Sequence, residues 1–144
     1  MLVTLAAAII VLACRQEPDL HLAYTDKMPP SFSFSGKSIA TNFEVLETSR
    51  SRPLSETKPY KIEGQTVWKI SVTGGIRGDK WPAFTYGEVP NGFSQIVPVK
   101  GPPSKLVEGK LYVARIVADD YDSTLFFEVR DGRILNVTDK VFEP

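Results

Sequence analysis

From Ser31 onward the chain carries a period of two, and that repeat limits it to strands. Ser31-Phe32-Ser33-Phe34-Ser35 puts both phenylalanines on one face, as a pleated strand requires. Phe43 and Val45 share a face in FEVLET. Trp68, Ile70 and Val72 do so in VWKISVT, with Lys69, Ser71 and Thr73 opposite, and Leu125, Phe127 and Val129 do so in LFFEVR. The run Lys110–Ala118 places Tyr112, Ala114, Ile116 and Ala118 on one side. Its other side, Leu111, Val113, Arg115 and Val117, is also mostly apolar, which suits a central strand covered on both faces. Gly74-Gly75, Pro90-Asn91-Gly92 and Gly101-Pro102-Pro103 punctuate the runs, and Asp131-Gly132 between two apolar stretches predicts a tight hairpin. No segment in this part carries a helical period. The expected fold is all-β, an antiparallel sandwich of seven or eight short strands over residues 31–144.

One stretch narrows the class. Leu106, Gly109, Tyr112, Ala114, Ile116 and Ala118 fall in the register of the corner and following strand of a fibronectin type III domain. The segment resembles that immunoglobulin-like family over 13 residues, 106–118, with Glu108 where proline is usual. The resemblance implies a tyrosine corner, in which the Tyr112 ring enters the core and its hydroxyl bonds backbone near the preceding turn. A sandwich of this kind implies no intrinsic activity.

The N-terminal part has a different character. Leu2–Ala13 is apolar at every position but Thr4 and lacks glycine and proline, so it suits a helix. Twelve helical residues span about 18 Å, short of the ~30 Å hydrocarbon core of a bilayer, and fit the apolar region of a secretory signal. The run ends in Val11-Leu12-Ala13-Cys14, which contains the chain's one cysteine. This resembles the lipobox of bacterial lipoproteins, with Leu12 larger than usual and no lysine or arginine ahead of the apolar run. The resemblance implies a signal helix over 1–13, removed on maturation, and a diacylglycerol on the Cys14 thiol. Arg15, in place of an aspartate, implies the outer membrane of the cell envelope. Residues 14–30, with Pro18, Pro29 and Pro30 and no sustained period, are expected to form the tether. His21 is expected to be a solvated tether residue.

Charge and composition exclude several classes. Lysine plus arginine equals aspartate plus glutamate, 17 each, so the basic excess of a nucleic-acid binder is missing. One cysteine excludes an intrachain disulfide, and one histidine disfavours a Ser-His-Asp triad and most metal centres. No nucleotide-binding or hydrolase motif occurs. No catalytic residue, cofactor or metal is expected, and no oligomeric state follows. The expected role is a non-catalytic contact with an envelope protein or glycan, beside the membrane held through Cys14. The candidate contact residues are Trp81, Phe84, Tyr86 and Phe93, crowded into WPAFTYGEVPNGF, where exposed rings would stack on a sugar or a partner. Two alternatives stay open on sequence alone: a carboxylate-based enzyme acting on carbohydrate, and an adhesin using Arg77-Gly78-Asp79, the tripeptide that integrins recognise. Asp119-Asp120-Tyr121-Asp122 reads as a solvated turn, with calcium as its alternative occupant, and Asn136-Val137-Thr138 is a glycosylation sequon.

Overall fold

The computed structural model describes residues 20–48, 62, 64–119 and 122–138. The nine strands are β1 (His21–Tyr24), β2 (Ser31–Ser35), β3 (Ile39–Thr48), β4 (Gln65–Arg77), β5 (Phe84–Thr85), β6 (Ser94–Val97), β7 (Leu111–Ala118), β8 (Asp122–Arg130) and β9 (Arg133–Asn136). They form two antiparallel sheets, one ordered β1-β2-β5 and one ordered β6-β4-β3-β7-β8-β9. A 3-10 turn, Gly78–Lys80, follows β4. The architecture is sandwich-like and all-β; among the described residues β2–β9 lie within 31–144, where seven or eight strands were expected, β1 lies upstream of Ser31, and β5, β6 and β9 are short pieces of two to four residues.

The alternating runs face where their period places them. Val45 lies opposite both Trp68 and Ala114, Ala114 opposite Leu125, and Phe43 opposite both Ile70 and Ile116. These residues form an apolar row across four strands of the large sheet. The small sheet covers that row with Phe32, Phe34 and Phe84. Phe32 and Phe34 lie 4.9 and 5.7 Å from Phe43, and Phe84 lies 5.7 Å from Trp68, ring centre to ring centre. Tilted and edge-on contacts at these distances add to the area effect of burial. A three-stranded sheet therefore covers the broader one by supplying rings rather than strands.

β7 is central, flanked by β3 and β8. Val113 on its outer face is buried with Leu46, Phe126 and Val137 in a second, smaller apolar cluster, whereas Leu111, Arg115 and Val117 on that face are only partly buried, so the expected cover on both faces is complete at Val113 and partial along the rest of the strand. The hairpin at Asp131-Gly132 is also present, with Arg130 paired to Arg133 and both central residues at positive φ, 53° and 69°.

Tyr112 is buried at 1% exposure, and its hydroxyl oxygen accepts the Val107 N–H at 2.9 Å. The turn between them is closed by Lys110 N–H to the Val107 carbonyl, and Gly109 there has φ +79°, which costs a glycine little. Glu108 has a use of its own. Its carboxylate accepts the Asp131 N–H at 2.6 Å and reaches the Gly132 N–H at 3.4 Å, tying the corner to the β8–β9 turn. Tyr112→Phe is expected to cost about 1 kcal/mol or somewhat more, because it strips the Val107 N–H of its acceptor. A urea-unfolding midpoint identical to that of the unmodified chain would contradict this.

The folded part begins before Ser31, inside the segment expected to be tether. Leu20 is 1% exposed, and His21–Tyr24 pair with Ser35–Phe32 as an edge strand. Leu22 and Tyr24 pack on the core, and this burial outweighs the entropy of leaving the segment loose. His21 is exposed, but on a strand. The signal helix over 1–13, and Cys14, lie outside the described residues.

Candidate functional site

The aromatic stretch expected to offer exposed rings is largely interior. Trp81, Phe84 and Tyr86 are 5%, 6% and 8% exposed, and all three belong to the main core. The cause is local. Phe84 and Tyr86 alternate with Thr85, and β5 pairs with β2 through Ser31 and Phe32, which aims both rings inward. Trp81 follows the 3-10 turn, and its indole N–H donates to the Ile76 carbonyl at 3.3 Å. Phe93 is partly buried against it, 4.8 Å away. Three of the four candidate rings are thus committed to packing, and a planar ligand has little access to them.

One of the four also borders open space. Tyr86 forms part of a groove of about 450 Å³ with Met28, Pro29, Pro102, Pro103 and Leu106. That volume is in the range of small-ligand clefts. Glu88 and Lys105 also line it and give it one charge of each sign. The Tyr86 hydroxyl donates to the Ser104 carbonyl at 2.7 Å, which holds the 102–106 segment as one wall. Burial, and then the neighbouring Tyr112, push the Tyr86 phenol well above its ordinary value. It therefore stays protonated and keeps donating through neutral and moderately alkaline pH. The groove draws on three loops far apart in sequence, and no local pattern announces it.

The other candidates fall into place individually. In Arg77-Gly78-Asp79 the two charged side chains pair with each other at 2.5 Å. The Gly78 N–H donates to the Ser38 carbonyl and the Asp79 N–H to the Gly36 carbonyl. Gly78 is buried, and a Cβ there would meet Leu20 Cδ1 at 2.5 Å. A side chain at Gly78 would press on Leu20 and on the Ser35 and Gly36 carbonyls, and the tripeptide is docked on the β2–β3 turn rather than projecting. Asp119 and Asp122 are exposed, while Asp120 and Tyr121 lie outside the described residues. Asn136 accepts the Thr138 N–H through its side chain, and the Thr138 hydroxyl accepts the Phe126 N–H.

The ion-paired carboxylates are dispersed. Glu47 meets Lys110, Glu128 meets Arg130, and Glu44 meets Arg115. Among the described residues no group of three histidine, cysteine or acidic side chains could hold a metal ion, and no helix is long and apolar enough to cross a membrane. Sequence reasoning missed the Glu44–Arg115 pair. Glu44 is 6% exposed on the outer face of β3, directly opposite Arg115 on β7, and Arg115 Nε donates to its Oε1 at 2.9 Å. The alternation assigns each residue to the outer face, but their pairing is a matter of register between strands 71 residues apart. No protein-family model, curated protein or solved structure matches the chain.

Proposed function

We propose that this chain is a lipid-anchored protein of the bacterial cell envelope, carrying one fibronectin type III-like domain that acts by contact rather than by catalysis. The observation that carries the anchor is that the single cysteine, Cys14, closes the apolar run Leu2–Ala13 in a lipobox-like sequence. Two acyl chains or more would hold such a protein at a bilayer stably, where one would not. The fibronectin-like reading is supported by Tyr112, placed near the start of a central strand with its hydroxyl bonded to backbone five residues upstream. The packing of a three-stranded sheet on a larger one also supports it.

The groove beside Tyr86 is the contact surface we favour. It replaces the ring cluster Trp81, Phe84, Tyr86 and Phe93 in that role, because a contact surface must be reachable from solvent. A neighbouring envelope protein or a glycan is the expected class of partner, and Arg15 favours the outer membrane as the location. Metabolic labelling with a fatty-acid analogue tests the anchor. The unmodified chain is expected to take up label and Cys14→Ser to lose it, whereas equal labelling of the two would rule out acylation at this residue.

A further inference from the structure

The body of the protein has two distinct poles, and the chain enters at only one of them. His21 pairs with Ser35, Ile39 with Arg77, and Ala40 with Ala118. These pairs set the start of β1, the β2–β3 turn, the Arg77–Lys80 turn and the end of β7 at one level. Leu20 is fixed there, buried at 1% and seated on Gly78, whose missing Cβ leaves it room. The opposite pole carries the Val107–Lys110 corner, the Asp131-Gly132 turn and the groove beside Tyr86. β3 connects the levels, with Ile39 at the entry pole and Thr48 opposite Leu111 at the far one. Its 10 residues make the body about 30 Å long at ~3.3 Å per residue.

Covalent geometry then restricts how the body can sit. Six residue steps separate Cys14 from Leu20. Whatever their conformation, six steps cannot span more than about 22 Å. If the far pole rested on the bilayer, Leu20 would stand roughly 30 Å above it, beyond the reach of a lipid on Cys14. A tether running to Pro30 would have allowed either pole to face the membrane, whereas one ending at Leu20 does not. The entry pole is compatible with a headgroup surface. It presents Ile39, 49% exposed, and the exposed Lys80. The charges of Arg77 and Asp79 are spent on each other, and the other exposed charges among the described residues at this end, Lys37 and Lys80 against Asp119 and Asp122, balance in number, so no net charge of either sign opposes the approach.

Resting on the lipid-anchor reading above, we infer that the pole carrying Leu20, the Gly36–Ser38 turn and the Arg77–Lys80 turn is the membrane-facing surface of the lipidated protein. The opposite pole, with its apolar groove, is held off the lipid. The partner of the entry pole is the phospholipid headgroup layer.

The test uses the full lipidated chain in vesicles of phosphatidylethanolamine and phosphatidylglycerol that contain a headgroup-nitroxide lipid. Acylation consumes the one native thiol, so a single introduced cysteine takes a fluorophore selectively. Lys80→Cys reports the entry pole, and Val107→Cys, at a position 47% exposed, reports the far one. The probe at residue 80 is expected to be quenched several-fold more strongly than the probe at 107. Equal quenching, or stronger quenching at 107, on protein that floats with the vesicles would overturn the orientation and leave the anchor standing. Protein that fails to float, with a Cys14 thiol that reacts with the fluorophore, would overturn the anchor and the orientation with it.

Discussion

Trp68→Ala is expected to destabilise the domain by about 3–5 kcal/mol, the largest effect of any single substitution considered. The ring is fully buried at 0% exposure, with Phe43, Phe84 and Tyr86 edge-on at 6.0, 5.7 and 5.2 Å. It therefore joins the two sheets, and its removal leaves a cavity bounded by rigid rings that cannot collapse into it. A polar cost is added to the apolar one. The indole N–H donates to the Gln95 side-chain oxygen at 3.1 Å, while the Gln95 amide nitrogen donates to the carbonyls of Pro98 and Gly101. Loss of the indole frees the residue that orders the loop after β6. Domains of this size are stable by only about 5–15 kcal/mol, so a large part of the total would be lost. Urea unfolding followed by circular dichroism checks it, and an unchanged midpoint would place Trp68 outside the core.

Arg115→Met is expected to cost about 2–3 kcal/mol, because it abandons a carboxylate that water scarcely reaches. Glu44 is 6% exposed in the middle of the large sheet, with Arg115 beside it on β7 and Lys69 beside it on β4. Breaking a buried pair from one side typically costs about 3–5 kcal/mol, mostly as an uncompensated charge. The Arg115 side chain is 28% exposed, and Lys69 is at hand as a substitute, so the lower figure is the reasonable one. The double variant Glu44→Leu/Arg115→Met should cost less than Arg115→Met alone, since no charge is then left behind. Urea midpoints of the two single variants and the double complete the thermodynamic cycle. A double variant as unstable as the sum of the singles would show that packing, and not charge, governs this row.

Both effects depend on side chains whose facing is legible along one strand and whose partners are not. Trp68 declares itself inward because Ile70 and Val72 follow at steps of two, and Glu44 declares itself outward because Phe43 and Val45 flank it. Tyr112 sits with five surrounding positions in a pattern whose family resemblance implies the corner, and the hydrogen bond to Val107 lies within that window. In contrast, Glu44 meets Arg115 only because β3 and β7 align at one register, with a shift between Ala40 and Asn42 that period-two reasoning does not register.

The aromatic stretch 81–93 marks the limit most clearly. WPAFTYG has the composition of an exposed binding loop and equally that of a core. What decides is the pairing of two residues, Phe84 and Thr85, with β2, which commits the rings to the interior. The tether shows the same limit in reverse. Leu20 and His21–Tyr24 look like linker beside three prolines, yet Gly78 leaves a space that Leu20 fills.

With the Tyr112–Val107 hydrogen bond expected from a family resemblance, what the amino-acid sequence determined by itself was therefore what repeats locally: the strand class, the inward face of the strands with a clear period of two, and the Asp131-Gly132 hairpin. Steric and hydrogen-bond preferences over a few residues suffice for these. The tertiary structure alone decided the start of the folded body at Leu20, the burial of Trp81, Phe84 and Tyr86, the Glu44–Arg115 pair, and the groove formed by three separate loops. Each of these depends on which distant segments come into contact. Contact across the chain is selected by the free energy of closing one common core, which no short window of residues contains.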